Sequence, residues 1–279
     1  MLEVLEDTIL DSLKLIPFLF ITYLIMELLE HKASKKTESI ISKSGKFGPF
    51  IGSLLGIVPQ CGFSAAAANF YAARIITKGT LIAIFLSTSD EMLPILISEE
   101  ANPLLILEIL AIKVVIAIAA GIIVDMLISK NNEEQSAIHK ICENENCHCE
   151  EDGIIKSSFK HTLQIFTYII IISLVINCII YFVGEDKIAN LIINNSILGV
   201  IIASAIGLIP NCASSVILTE LYLNEIITLA PMIAGLLVNS GIGILVLFRV
   251  SKNKKDNFTI LGILYLIGII SGILIEVMM

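Results

Sequence analysis

Apolar residues run along this chain in long unbroken blocks separated by short charged ones. Six blocks approach or exceed the ~20 residues that a helix needs to cross a bilayer. They are Thr8–Leu29, Gly79–Ile97, Leu104–Ile128, Thr162–Val183, Ile227–Phe248 and Phe258–Met278. Membrane barrel strands alternate apolar and polar residues, and these blocks do not, so the spans are predicted to be helical. Two further apolar stretches, Phe47–Tyr71 and Ile197–Tyr222, are broken by Pro59-Gln60-Cys61-Gly62 and by Pro210-Asn211-Cys212-Ala213. Each half holds about a dozen residues, or ~18 Å of helix, too short to cross comfortably. Proline interrupts the hydrogen-bond ladder and can begin a new helix. The pattern predicts a re-entrant hairpin of two half-helices with its tip near mid-membrane, with two short full spans as the alternative.

The two hairpins read as copies. A shift of 151 positions lays Gly48–Pro94 over Gly199–Leu245 without a gap. Gly56 then meets Gly207, Pro59 meets Pro210, Cys61 meets Cys212, Ser64 meets Ser215, Tyr71 meets Tyr222 and Ser89 meets Ser240. A fixed internal period marks a repeat architecture, a common basis for transporters. Basic residues set the orientation. The loop His31–Lys46 carries five lysines, whereas its copy Gly184–Asn195 has only Lys187. Conversely, Ser98–Pro103 carries Glu99 and Glu100, and its copy Arg249–Asn257 has Arg249, Lys252, Lys254 and Lys255. By the positive-inside rule, equivalent loops lie on opposite sides. The expected fold is an all-α polytopic membrane protein of two inverted repeats, each with three spans plus a Pro-broken hairpin, giving 8–10 membrane helices. Repeat 1 is expected over 1–129, a cytoplasmic linker over 130–160 and repeat 2 over 161–279, with both termini extracytoplasmic.

Composition agrees: 56% of residues are hydrophobic, and the mean hydropathy of +0.90 is far above that of soluble domains. The net charge of −8 sits in loops and tips and decides nothing about partners; no nucleic-acid partner is expected. Acidic Glu3, Glu6 and Asp7 precede the first span, unlike a cleaved signal peptide. Cys61, Cys178 and Cys212 lie within apolar stretches, which argues against a secreted disulfide framework. The expected partners are the lipid bilayer and a small inorganic ion, and no cofactor is expected beyond that ion as cargo.

Three groups of residues could carry chemistry. Where inverted hairpins bring their tips together, Gln60, Cys61 and Ser64 would face Asn211, Cys212 and Ser215. The plainer alternative is that the cysteines are small packing residues and the serines bond back to their own helices. The second group is Ser87-Thr88-Ser89-Asp90-Glu91, near mid-depth if Gly79–Ile97 is one span. Ser87, Asp90, Glu91 and Pro94 would then share one helical face. Intramembrane carboxylates are costly and usually functional. Alternatively Asp90 or Glu91 only pairs with Lys113, or the helix ends early and both acids are solvated; Glu108 and Lys113 could also form a structural pair. The copy offers Asn239 and Ser240 but no acid. The third group is a linker cluster of His139, Cys142, Cys147, His148 and Cys149 with neighbouring acids. Thiolate, imidazole and carboxylate together can bind transition metals, although the spacing matches no standard zinc module. The alternative is a solvated acidic linker.

The segments Gly56-Ile-Val-Pro-Gln-Cys-Gly-Phe-Ser64, Phe85-Leu-Ser-Thr-Ser-Asp-Glu-Met-Leu-Pro94 and Gly207-Leu-Ile-Pro-Asn-Cys-Ala-Ser-Ser215 resemble the ten-helix heavy-metal exporter family, which is related to arsenic permeases. The resemblance extends over nearly the whole chain. It implies efflux of a metal or metalloid across a bacterial plasma membrane. Oxygen ligands at Asp90, Glu91, Asn211 and Asn239 suit manganese, and thiols at Cys61 and Cys212 suit arsenite or soft cations. The chain is therefore expected to be a secondary-active exporter of a divalent transition metal such as manganese, with arsenite or another metalloid as the alternative cargo. No nucleotide-binding motif is present. An intramembrane enzyme is not expected, because no histidine lies near Ser64 or Ser215 in sequence. A membrane metal sensor using Cys142–Cys149 is the alternative from a different class.

Overall fold

A computed structural model describes residues 13, 16–17, 19–25, 47–89, 91–128, 154–183, 196–251 and 253–278. Residues 19–25, inside the first expected span, are helical. The further helices are α1 Gly48–Gly56, α2 Cys61–Ala72, α3 Lys78–Ser87, α4 Met92–Ser98, α5 Pro103–Ile128, α6 Ile154–Val183, α7 Ser196–Gly207, α8 Cys212–Leu223, α9 Leu229–Val238, α10 Gly243–Val250 and α11 Lys254–Met278. There is no strand among the described residues. The chain is an all-helical polytopic membrane protein, with five apolar helical stretches long enough to cross a bilayer.

Both Pro-broken stretches fold as two helices around a turn, α1–α2 and α7–α8. Two expectations are corrected. Gly79–Ile97 and Ile227–Phe248 keep the length of spans but are not single helices: the first breaks after Ser87 into α3 and α4, the second after Val238 into α9 and α10. In the first, Ser87 Oγ and Thr88 Oγ1 both donate to the Ile84 carbonyl, which competes with the helix ladder. Pro94 then falls in the first turn of α4, where a missing N–H leaves no acceptor unpaired. In the second, Gly241 adopts φ +53°, a left-handed conformation that glycine accepts readily. The Asn239 side chain accepts the Gly241 N–H at 2.8 Å, closing the turn. Helix α6 begins at Ile154, and His161 is buried with its ring stacked on Tyr23 at 5.6 Å.

The broken helices form the centre. Of the residues in the most apolar window, 71% are buried in α3–α4 and 94% in α9–α10, against 28% in each of α5, α6 and α11. The unbroken helices thus present most of their apolar surface outward, as lipid-facing helices do. Small residues allow the inner contacts. Gly48, Gly52 and Gly56 line the face of α1 that meets α3, and a Cβ on Gly56 would stand 2.8 Å from the Ile84 carbonyl oxygen. A Cβ on Gly207 would stand 2.1 Å from that of Gly235, where α7 meets α9.

The main helix pairings in residues 48–128 have counterparts in residues 196–278. Helices α1, α3 and α5 pack on one another as α7, α9 and α11 do, while α2 meets α10 and α8 meets α4. A side-chain anchor repeats as well. Asp125 near the end of α5 accepts from Thr77 Oγ1 at 2.7 Å and from the Gly79 N–H at 2.8 Å, at the start of α3. Glu276 near the end of α11 accepts from Thr228 Oγ1 at 3.4 Å, at the start of α9. This sets α9 antiparallel to α11. Lys78 at the start of α3 pairs with Asp256 in the first turn of α11, so α3 and α11 begin at the same end. Helices α3 and α9 therefore run antiparallel.

Candidate functional site

The central site lies between the ends of α3 and α9. Thr88 caps the C-terminus of α3, and Leu236 lies in the last turn of α9. Lys113, on α5, donates its ammonium to both carbonyls, reaching Leu236 O at 3.0 Å and Thr88 O more closely still. Its side chain is 1% exposed. A helix C-terminus carries a partial negative charge of about half an electron, so two such ends here face one resident cation.

The first break is tied to the first hairpin: Ser89 Oγ donates to the carbonyl of Ile57, in the turn between α1 and α2. The second break meets the first hairpin as well. A Cβ on Gly243, which opens α10, would stand 2.8 Å from Ser64 Cβ and 2.8 Å from the Phe85 ring. Ser87, Ser89, Asn239 and Ser240 are all buried. Asn239 Nδ2 and Ser240 Oγ have no hydrogen-bond partner, so two residues of the second break carry buried, unsatisfied polar groups.

The hairpin residues divide. Gln60 and Asn211 are the N-cap residues of α2 and α8. Asn211 Oδ1 accepts from the Ala213 N–H at 3.5 Å, while its Nδ2 donates to Asn177 Oδ1 on α6. Ser64 Oγ donates to Cys61 O at 2.8 Å and Ser215 Oγ to Cys212 O at 2.7 Å, so both hydroxyl protons are used within their own helices. Cys61 is half-buried and Cys212 buried, and both are thiols outside any disulfide at the first positions of α2 and α8.

The break corrects the expected helical face of Ser87, Asp90, Glu91 and Pro94. Ser87 closes α3, whereas Glu91 is the N-cap of α4 and Pro94 lies in its first turn. Glu91 is half-buried. Asp90 lies outside the described residues, as do His139, Cys142, Cys147, His148 and Cys149. Among the described residues no group of three or more His, Cys, Asp or Glu side chains could hold a metal.

Two features escaped the sequence reading. Lys113 was weighed only as a partner for a carboxylate, although a lysine so deep in an apolar run must satisfy three donors, and helix-end carbonyls are suitable acceptors. The Asp125 and Glu276 anchors were also missed. The same 151-residue shift that aligns the hairpins lays Thr77 on Thr228 and Asp125 on Glu276.

A family model described as "Putative, 10TM heavy-metal exporter" matches residues 1–186. The match includes the first hairpin and the first break, and it ends before the Gly207–Ser215 segment. No curated protein and no solved structure matches the chain.

Proposed function

This chain belongs to the family of ten-helix heavy-metal exporters, and on that premise we propose that it exports a divalent transition metal such as manganese through the crossing of α3 and α9. The observation that carries the reading is the pair of breaks at equivalent positions in antiparallel helices, with helix-end carbonyls turned inward. Irregular backbone at membrane depth is tolerated only where it is buried in protein or lines a cavity. Discontinuous helices of this kind form the ion and substrate sites of many secondary transporters. Carbonyl, carboxylate and amide oxygens are hard ligands that suit manganese. The cargo would meet the carbonyls of Thr88 and Leu236, the carboxylates of Asp90 and Glu91, and the polar side chains of Ser89, Asn239 and Ser240. Asp90 or Glu91 would exchange a proton for the cargo as the two inverted halves rock about the crossing. The setting is a bacterial inner membrane, with the linker in the cytoplasm, and the chain is not an enzyme.

A specific observation favours a second cargo, arsenite or another metalloid. Cys61 and Cys212 open α2 and α8 as thiols outside any disulfide at equivalent positions, and thiols are soft ligands. The test is growth and metal content of a metal-sensitive bacterial host expressing the chain, challenged separately with manganese, other divalent metals and arsenite. Lowered cell manganese that Asp90→Asn abolishes, and the Cys61→Ser/Cys212→Ser double variant spares, supports the oxygen-ligand reading. Protection against arsenite alone that needs both cysteines replaces it with the metalloid reading. No change in cell content under any challenge, with the protein present in the membrane, overturns both.

A further inference from the structure

Lys113 places a full positive charge where a cation exporter needs room for its cargo. We infer that the Lys113 ammonium is a tethered competitor for that cargo: it fills the carbonyl-lined seat between Thr88 and Leu236 in the empty carrier, and an entering metal cation displaces it. The inference rests on the exporter reading above and adds a specificity element to it.

Three observations carry it. The ammonium bonds the two carbonyls at the inward ends of the broken helices, which are the hard oxygen ligands that a cation would seek. Without a cation those two partially negative ends would face each other with both acceptors buried and unpaired. The seat thus calls for one positive charge, and Lys113 supplies it. The arrangement is also single. The position equivalent to Lys113 in the second half is Leu264, fully buried and apolar, so the repeat provides one ammonium for two helix ends. Finally, displacement would need only a side-chain movement of Lys113, not a change in the helix that carries it. It projects from the continuous helix α5, and a lysine ammonium is a compact charge on a flexible four-carbon stem. Metal and ammonium cannot share the same carbonyl lone pairs, and their like charges repel, so loading and displacement are one event.

The experiment uses the full chain in lipid nanodiscs with manganese(II) alone as the probe. Equilibrium binding is followed by the electron paramagnetic resonance of free manganese, and thermal unfolding is recorded with and without the metal. Lys113→Met removes the competitor. A seat filled nine-tenths of the time leaves a tenth of the molecules competent, so binding should tighten by about tenfold. The variant should also melt lower than the wild type without metal and regain stability when manganese is added. Lys113→Arg keeps the charge and should bind no more tightly than the wild type. If Lys113→Met does not fold, Lys113→Gln removes the charge while its amide can keep a carbonyl contact, so manganese binding should still tighten over the wild type but stability without metal should fall less than in Lys113→Met. If the wild type binds manganese and the folded neutral variants bind equally or more weakly, the competitor inference is overturned and the exporter reading stands. If no form binds manganese, the divalent-metal reading falls and the inference falls with it.

Discussion

Gly207→Ala is the smallest change that should separate α7 from α9. The added methyl would stand 2.1 Å from the Gly235 carbonyl oxygen, 2.9 Å from its carbon and 3.1 Å from its Cα. All three are backbone atoms, so no rotamer change can relieve the clash. Carbon–oxygen contacts settle near ~3.3 Å, which requires the helices to part by about 1 Å. A gap of that size forfeits roughly a quarter to a half of each van der Waals contact along the interface, which includes the fully buried Val200 and Ala203. Overpacking of this kind costs about 1–3 kcal/mol, and alanine returns up to ~1 kcal/mol through helix propensity. A net loss of about 1–2 kcal/mol lowers the melting temperature by roughly 2–8 °C in a chain of this size. Gly262→Ala is the matched control, because nothing lies within 4 Å of its added methyl in α11. It should be neutral or stabilising by up to ~1 kcal/mol. The assay is thermal unfolding of both variants and the wild type in one detergent. Equal stability of Gly207→Ala and the wild type would refute the close approach of α7 to α9. Export should fall in Gly207→Ala as well, because Gly235 adjoins Leu236, whose carbonyl holds Lys113.

Asp125→Ala should destabilise by about 1–3 kcal/mol, since it leaves a buried-side anchor without its acceptor, whereas Glu276→Ala should cost less than ~1 kcal/mol because its bond to Thr228 is longer and exposed; chemical denaturation compares them. Ser240→Ala should leave stability unchanged or slightly raised, because its hydroxyl has no partner to lose. If Ser240 contacts the cargo, the same variant loses export, and a flux assay beside a melting curve separates the two effects. Asn239→Ala should instead lower both, because it removes the acceptor of the buried Gly241 N–H. Deleting 136–152 should leave basal export intact if the chain is a transporter, whereas a membrane metal sensor would lose its whole response.

Much of the fold was legible because the bilayer enforces simple rules. Long apolar blocks became helices, and Pro59 and Pro210 marked the two hairpin turns. The second pair of breaks was not legible by the same rule. Pro94 sits several residues beyond the break at Thr88–Glu91, and the other copy has no proline there at all, only Gly241. Residues of uniform hydropathy on both sides hid the interruption, since hydropathy measures transfer to lipid and says nothing of ladder continuity. At the site, the sequence identified Ser89, Asn239 and Ser240 as candidates, and the structure buries all three beside the breaks. It missed the two backbone carbonyls that Lys113 reaches, since every residue has a carbonyl and no residue type announces one.

The exchange of partners between the halves, α2 with α10 and α8 with α4, bears on how the protein is made. About 170 residues separate the end of α2 from the start of α10. At ~5–20 residues per second of synthesis, the first hairpin waits roughly 10–30 s for its mate. During that interval the faces of α2 and α4 meant for the second half have no native cover, and lipid or an insertion chaperone must shield them. Assembly is therefore completed late, and a ribosome that stalls between α6 and α10 would leave a half-built bundle for membrane proteases to remove.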